Sequence, residues 1–388
     1  MNEYNRMTVG LDIGDKMSEI CLLDSQGIVV ERKRIASTPD SLKKYFGGFA
    51  PLLVVLESGF HSPWMSRVLK ELKHEVIVAN SRRIALIAKN WKKSDTIDAE
   101  LLARLGRSDL ELLSPVEHRS ESLQLDMSVV RARDALVRSR TLMVNHVRGV
   151  VKSHGARLRS TGAKRFHKLE EQIPVELKPA LASVMSCIEH INARITELDK
   201  EIEALCAKHP ATEMLRSIPG VGPVTALVFV LVVMNPKRFS RNRNVGAYLG
   251  LVPRKHQSGD EDPELRITRA GNIYMRRLLV NAAHYVLGPF GPDCELRRFG
   301  LAIAARGKKR AKKKAAVATA RRIAVLMNSL WKRGEFFQPF PSTKPETCAS
   351  AGSMDTASES APDGRDTLMG VASARPAPVG RNVAQLNR

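Results

Sequence analysis

Four carboxylates stand where an apolar strand or the start of a helix would hold them in a fixed position. Asp12 lies inside the apolar run of TVGLDIGDK, and Glu57 ends the apolar run LLVVLE. Asp95 and Asp98 in KSDTIDAELLARL are three residues apart, which places both on one face of a helix start. Such a cluster would repel itself unless divalent cations lay between its oxygens. The four acids therefore predict a site for Mg²⁺ or Mn²⁺, ions that can stabilise the attacking and leaving oxygens of a phosphoryl transfer.

Each acid also has an ordinary explanation that the residues alone leave open. Asp12 would then be a strand-end acid facing solvent, and Glu57 the exposed end of a surface strand. Asp95 and Asp98 would be first-turn acids favoured by the helix dipole. Against this, a carboxylate within a half-buried strand is poorly solvated, so it needs a cation, a hydrogen-bond donor or a function.

A second group of residues surrounds a serine. Ser258 lies in a Gln-Ser-Gly turn of AYLGLVPRKHQSG, and most loop serines are ordinary turn residues. Cations stabilise the charge that develops when a nucleophile attacks a phosphodiester, so the basic residues around Ser258 favour a nucleophilic role. The nearby basic residues that we also predict to contact nucleic acid are Arg254, Lys255, Arg266, Arg269, Arg276 and Arg277.

Two further segments are typical of phosphate binding. LRSIPGVGPVTALVF has the form of a helix-hairpin-helix, whose Gly-x-Gly turn presents backbone N–H groups to a phosphate, although a plain connection between helices has the same pattern. RGKKRAKKK, residues 306–314, is either a phosphate-contacting patch or a solvated helix face, and the net charge favours the patch. Its predicted contacts are Lys308, Lys309, Arg310, Lys312, Lys313 and Lys314.

The composition narrows the class of protein. The 388 residues carry a formal net charge of +22, which indicates a polyanionic partner, nucleic acid before a membrane surface. The longest apolar run, residues 225–234, falls short of the roughly 20 residues that span a bilayer, and the polar N-terminus has no signal-peptide core. Five scattered cysteines without a CxxC pair argue against disulfides and a zinc site. We expect a cytoplasmic bacterial protein that associates with the nucleoid when it is on DNA.

The chain divides into four segments. Residues 1–112 alternate strand and helix patterns and predict an α/β domain. Residues 113–209 are helical, with apolar residues at helix spacing that indicate an antiparallel pair or a coiled coil and hence an oligomerisation arm. Residues 210–340 are mainly helical and basic. Residues 341–388 are rich in Pro, Ser, Ala and Gly and predict disorder; their five basic and five acidic residues cancel, so the whole net charge belongs to residues 1–340.

Five motifs together resemble the DEDD transposases of the insertion-sequence one-ten family. They are VGLDIGDK, VVLES, KSDTIDAELLARL, IPGVGPVTA, and AYLGLVPRKHQSG followed by ITRAGNIYMRRLLV, and the resemblance covers about residues 7–335. It implies a RuvC-like, ribonuclease-H-type domain with Asp12, Glu57, Asp95 and Asp98 as metal ligands, a helical coiled-coil arm, and a C-terminal transposase domain with a nucleophilic serine.

On this match the nucleophile is Ser258. Many relatives have Ser-Ser-Gly where this chain has Gln257, so Ser258 is the sole candidate in the turn. The resemblance also implies a structured non-coding bridge RNA that pairs with donor and target DNA. We further expect dimers that pair into tetramers on DNA.

Three other functions are weighed against this one. A sugar-kinase or actin-like ATPase shares the GLDIGDK pattern, but its second phosphate loop and adenosine motif are not found in the sequence. A non-catalytic nucleic-acid-binding protein would explain the charge and leave the four acids without a purpose. A RuvC-like Holliday-junction nuclease would share the first domain without the covalent chemistry of Ser258.

Overall fold

The N-terminal part of the protein is built on one mixed β-sheet. The structure is a computed structural model that describes residues 7–81, 95–258, 263, 265–307 and 309–340, without the side chains of residues 95 and 96. The strands are β1 (Thr8–Asp12), β2 (Met17–Leu23), β3 (Val29–Ala36), β4 (Leu53–Glu57) and β5 (Glu75–Ala79). Their order in the sheet is β3-β2-β1-β4-β5, with β1, β2 and β3 antiparallel and β1, β4 and β5 parallel.

Helices cover both faces of this sheet because its strands are apolar on both sides. Helices α1 (Pro39–Phe46) and α2 (Ser62–Glu71) pack against one face, where Val9 and Leu11 of β1 point. Helix α3 (Asp95–Ser108) packs against the other face. Since strand side chains alternate between faces, Gly10 and Asp12 lie on the α3 face. This mixed sheet with helices agrees with the expected DEDD nuclease-like domain.

Two long helices follow and run antiparallel to each other. Helix α4 (Glu121–Ser153) begins at Ser120, whose hydroxyl accepts from the backbone N–H of Leu123, and helix α5 is Lys178–Lys208. Arg133 bonds Asp199 at 2.6 Å and Arg140 bonds Asn192 at 2.7 Å, so residues later in α4 meet residues earlier in α5. The predicted antiparallel pair is thus present, whereas its coiled-coil packing and its role in oligomerisation stay predictions. Two 3₁₀ helices lie between them in the chain, at Ala163–Gln172 and Val175–Leu177.

The C-terminal helices enclose one apolar helix. They are α6 (Ala211–Arg216), α7 (Pro223–Val233), α8 (Asn244–Tyr248), α9 (Ile273–Leu287), α10 (Glu295–Ala304) and α11 (Lys309–Arg333), with a short turn of helix at Pro236–Arg238. Every residue of α7 from Thr225 to Val233 is buried, as expected for a helix that is hydrophobic all round. Its neighbours in the core come from α4, α5, α9 and α11.

The described elements all belong to one compact unit that ends at Phe340. The finer division at residues 112 and 209 stays a prediction. The predicted helix after Ser81 and the predicted disorder of residues 341–388 fall outside the described residues. No helix in the described ranges is both long and apolar enough to cross a membrane.

Candidate active site and nucleic-acid interface

Asp12 and Glu57 occupy equivalent positions at the ends of neighbouring parallel strands. The register of β1 and β4 pairs Leu11 with Leu56, so the next residues along the two strands are Asp12 and Glu57. Adjacent strands lie about 4.8 Å apart, and paired residues project to the same face. Both acids are partly buried and both make further polar interactions. The sheet therefore presents two carboxylates side by side on the α3 face.

Helix α3 brings its acidic start to the same end of the sheet. A Cβ on Gly10 would overlap the backbone of Ala99 and lie 2.6 Å from the amide nitrogen of Ala103, so α3 packs directly on β1 at this glycine. Farther along the helix, Gly106 faces Thr8 at the beginning of β1. Helix and strand thus run in opposite directions, and the start of α3, which carries Asp98, lies toward the Asp12 end. Asp98 is partly buried; the side chain of Asp95 is outside the described residues.

A further carboxylate, Glu19, extends Asp12 and Glu57 to three acids on adjacent strands, which we call the carboxylate row. Glu19 was not identified from the sequence. Glu19 of β2 is the cross-strand partner of Asp12, and Arg34 of β3 is the partner of Glu19. Arg34 and Glu19 form an ion pair at 3.2 Å. Glu19 lies opposite Asp12 because of the antiparallel register of β1 and β2, which the sequence alone does not give.

The donor set suits a hard cation. Asp12, Glu57 and Asp98 offer carboxylate oxygens, which Mg²⁺ and Mn²⁺ prefer, and neighbouring strands fix two of the three backbones. Among the side chains that the structure describes, which do not include Asp95, no three His, Cys, Asp or Glu residues lie close enough together to share a metal ion. The geometry thus places two acids at neighbouring strand ends and brings the helix start that carries Asp98 to the same end of the sheet.

The loop after Glu57 is held by an ordered set of hydrogen bonds. Gly59 N–H donates to Ser62 Oγ at 2.9 Å, and the Ser62 hydroxyl donates to Gly59 O at 2.8 Å. His118 Nε2 lies 2.9 Å from Ser62 Oγ, and burial lowers the pKa of His118. On the neighbouring turn, Trp64 Nε1–H donates to His61 Nδ1 at 3.1 Å. The members of this cluster come from separate elements, so no local pattern in the sequence marks it.

Ser258 lies on a separate hairpin-like loop. The loop is closed by hydrogen bonds from Arg254 N–H to Arg266 O and from Thr268 N–H to Val252 O, both at 2.9 Å. Ser258 is exposed, and the predicted contact residues Arg254, Lys255, Arg266 and Arg269 are exposed as well. The loop therefore offers a hydroxyl and several cations to solvent.

Two of the predicted cations are engaged within the fold. Arg276 is buried, and its guanidinium donates to the backbone oxygens of Leu249 at 3.0 Å and of Ala270. Arg276 therefore supports the loop through these carbonyl groups, while its predicted contact with nucleic acid stays a prediction. Arg277 pairs with Asp134 of α4 and lies 4.9 Å over the ring of Tyr274. Its side chain remains 42% exposed, which leaves it open to a further contact.

The basic start of α11 is exposed as predicted. Five of its basic residues are exposed: Lys309, Arg310, Lys312, Lys313 and Lys314. Lys308 lies outside the described residues. Buried residues begin at Ala315, so the same helix is basic at its start and apolar along its later turns.

The predicted phosphate turn connects two helices beside a cleft. Residues 217–222 join α6 to α7. Gly220 in this turn has a φ of 81°. It packs against the backbone of Ala282, where a Cβ on Gly220 would lie only 2.7 Å from the carbonyl oxygen. Asn281 and Tyr285 of α9 line the cleft together with the turn, and its volume is about 540 Å³. A helix, a turn and a second helix are thus present, while binding of phosphate by the turn stays a prediction.

Comparisons with known proteins agree on one family. A profile described as Transposase IS116/IS110/IS902 family matches residues 212–294, and a DEDD transposase profile of the IS110 type matches residues 9–155. The chain is 28% identical to the transposase for insertion sequence element IS1111A of Coxiella burnetii, over 72% of this chain and 77% of the relative. It is 26% identical to a probable family 20 transposase of Pseudomonas aeruginosa, over 73% and 85%. It is 27% identical to the transposase for insertion sequence element IS1328 of Yersinia enterocolitica, over 72% and 83%.

Proposed function

Because the chain belongs to the IS110 family of transposases, and is therefore an enzyme that cuts and rejoins DNA, we propose that its carboxylate row is the metal site of that reaction. The observation that supports this most directly is the register of β1 and β4, which pairs Leu11 with Leu56 and so brings the next residues, Asp12 and Glu57, to equivalent strand ends. Family membership excludes the ATPase and the non-catalytic binding protein considered above.

The residues that would hold Mg²⁺ or Mn²⁺ are Asp12, Glu57, Asp95 and Asp98. When bound, such an ion stabilises charge on the attacking and leaving oxygens of a phosphodiester. The protein's own contribution is to fix the oxygens: strand pairing sets Asp12 and Glu57, and the packing of α3 on Gly10 sets Asp98. Arg34 neutralises Glu19 beside them, which limits the repulsion within the row.

The test replaces single carboxylates by amides of the same shape. Asp12→Asn and Glu57→Gln should each abolish DNA strand cleavage, because an amide cannot offset a divalent charge as a carboxylate does. Cleavage by the unmodified protein should stop in EDTA and return with Mg²⁺ or Mn²⁺. Glu71→Gln, at the exposed end of α2, is the matched control and should cut normally. Full cleavage by both site variants, or in EDTA, would contradict the metal site.

The proposed nucleophile is Ser258. Its Oγ would attack the phosphorus, the Oγ–P bond would form, and the bond to the leaving deoxyribose oxygen would break while that oxygen takes a proton. The hydroxyl proton would pass to a base, and His256, two residues before Ser258, is the histidine nearest to it in the sequence. A hydroxyl of a second strand would then displace the serine, so the energy of the phosphodiester is kept for rejoining. The exposed cations of the loop, Arg254 and Arg266 among them, support this role.

A covalent intermediate can be trapped on denaturing gels. The unmodified protein should form a protein–DNA adduct and Ser258→Ala should form none, whereas the control Ser240→Ala, on another exposed loop, should keep it. If the site is shared between protomers of the proposed dimer, mixed Ser258→Ala and Asp98→Asn proteins should recover part of the activity. An adduct that persists in Ser258→Ala would place the nucleophile elsewhere, and no recovery on mixing would indicate a site within one chain.

We also propose that a structured non-coding RNA guides the enzyme to donor and target DNA. The net charge of +22 and the exposed basic start of α11 support a polyanionic partner beyond the DNA itself. RNA that co-purifies with the protein should map next to its own gene. Alanine at the six basic positions of residues 308–314 should reduce the slope of log affinity against log salt by about 0.7–0.9 for each phosphate that the variant no longer neutralises. Lys43→Ala with Lys44→Ala on α1 is the control; an unchanged slope in the α11 variant would remove this patch from the interface.

A further inference from the structure

Phe60 is the most exposed large apolar side chain among the described residues. Its relative exposure is 101%, so no other described residue covers either face of the ring. It follows Glu57 by three residues, which span at most about 11 Å of extended chain. A bare aromatic ring therefore lies beside the end of the sheet where β1 ends at Asp12 and β4 ends at Glu57.

The position of this ring is fixed by the loop that carries it. Ser58 N–H donates to Ala79 O at 2.9 Å on one side of Phe60. On the other side, Ser62 bonds Gly59 in both directions and lies 2.9 Å from His118 Nε2. The exposure of the ring thus results from a held backbone, and contact with a partner would cost little ordering of the loop.

The other side of the loop connects it to β1. His61 Nδ1 accepts from Trp64 Nε1–H, so in the neutral ring the proton is on Nε2, which faces a carboxylate oxygen of Asp15 at 3.4 Å. Asp15 lies three residues after Asp12. The loop therefore borders the ends of both strands that carry the paired acids.

The net charge of +22 favours a nucleic acid over a protein as the partner of the ring. Ser81 Oγ lies 3.1 Å from Ser58 Oγ, and the sequence that follows, residues 82–94, has five basic residues and no acidic one. Aromatic rings that nucleic-acid-binding proteins leave bare stack on bases or enter between base pairs, which opens the step. A base-pair step rises about 3.4 Å, so the reach of Phe60 from Glu57 corresponds to about three steps.

We propose that Phe60 stacks on a DNA base within about three nucleotides of the phosphodiester that is cut, and that it holds the neighbouring base-pair step open. The proposal rests on the carboxylate row as the cleavage site. Phe60 positions the DNA strand: its ring contacts the substrate, whereas the acids and Ser258 act on the phosphodiester.

The test uses the full-length protein with Asp12→Asn as a background that binds without cutting. The DNA duplex has the sequence at the end of the insertion sequence that encodes this protein. The fluorescent base analogue 2-aminopurine replaces one base within three positions on either side of the cut. Its fluorescence should rise when the Asp12→Asn protein binds, because the base leaves its stack. Phe60→Ala in this background should lose most of that rise, and Phe60→Trp should keep the change in stacking. Phe336→Ala, which removes another exposed ring, is the matched control.

Cleavage gives an independent readout in the otherwise unmodified protein. Phe60→Ala should cut about tenfold more slowly, since stacking of one base by an aromatic ring is commonly worth about that factor or more. A mismatch placed at the responsive step should restore most of the rate, because the step is already open. The melting temperature of Phe60→Ala should equal that of the unmodified protein, since the ring is fully exposed in the described fold.

Three results would overturn the proposal. One is an unchanged fluorescence rise and cleavage rate in Phe60→Ala. Another is an altered sedimentation coefficient with unchanged fluorescence, which would assign the ring to a protein contact. The last is weaker binding of co-purified RNA with unchanged DNA fluorescence. Failure of the carboxylate proposal is separate, because it would appear as cleavage by Asp12→Asn, whereas the fluorescence reports on binding.

Discussion

Replacing Gly10 by alanine should both destabilise the protein and impair cleavage. Gly10 is where β1 passes under α3, and a Cβ there would overlap the Ala99 carbonyl and lie 2.6 Å from the amide nitrogen of Ala103. Real Cβ atoms essentially never come closer than 3.0 Å to such atoms. Both neighbours are backbone atoms of a helix, so they cannot turn away as a side chain would. The whole of α3 must therefore retreat from the sheet.

The size of the effect follows from that displacement. Relieving the overlap moves α3 by about 1 Å, and overpacking of this kind costs about 1–3 kcal/mol, with a rigid backbone neighbour placing Gly10→Ala near 3 kcal/mol. The same shift separates Asp98 from Asp12. Misplacement of a reacting group by about 1 Å can cost on the order of 100-fold in rate, so we expect cleavage to fall by about that factor.

Urea unfolding and cleavage rates provide the measurement. Gly106→Ala is a graded comparison, because its Cβ would meet a methyl group of Val55 that can shift, and we expect a loss of about 1 kcal/mol. Gly149→Ala, in α4 with nothing within 4 Å, should instead gain about 0.5–1 kcal/mol. The reasoning is refuted if Gly10→Ala unfolds at the urea concentration of the unmodified protein and cuts at its rate.

Two further predictions concern the connection between α3 and α4. Arg119 Nε–H donates to Leu231 O at 2.6 Å near the end of α7, so Arg119→Ala should lower the free energy of unfolding by about 2 kcal/mol in urea titrations. Arg131→Ala, at an exposed position, is the control and should not lower it. Equal losses in the two variants would contradict this role of Arg119. Burial lowers the pKa of His118, so the unfolded chain takes up a proton before the folded one does, and stability present above about pH 6.5 is lost as the pH falls below it. His118→Gln cannot take up that proton, and its melting temperature between pH 7.5 and 5 should fall less than that of the unmodified protein; parallel curves would reject the assignment.

The sequence was most informative about local structure, where a short run of residues predicts a strand or a helix start. The apolar runs predicted a strand with Asp12 inside it and a strand that ends at Glu57. Both strands form, but β1 ends at Asp12. Spacing alone placed Asp95 and Asp98 on a helix start. What it could not supply was the register between strands, because a shift of one residue would have turned either acid to the opposite face. The position of Asp98 near β1 likewise depends on Gly10, whose missing side chain carries no periodic signal.

The features that the sequence did not reveal have a common physical cause. Arg276 looked like its basic neighbours in the sequence, yet its position on α9 turns it under the Ser258 loop, where carbonyl groups bind it. Phe60 looked like an ordinary apolar residue, although the hydrogen-bonded loop leaves it bare. Glu19 was hidden in an alternating strand. Burial and pairing are set by segments distant in sequence, so local patterns could not distinguish these cases.

The buried helix α7 has a consequence for synthesis of the protein on the ribosome. Its apolar surface is completed by α11, where Trp331 lies 6.3 Å from Phe229 between ring centres and Ile323 and Met327 join the same core. During translation, part of the apolar surface of α7 therefore stays exposed until about a hundred further residues have been made. A chain that stops early lacks this cover and exposes the surface that chaperones and proteases recognise. Since the basic start of α11 precedes its apolar turns, every chain that closes its core with α11 already carries that basic patch.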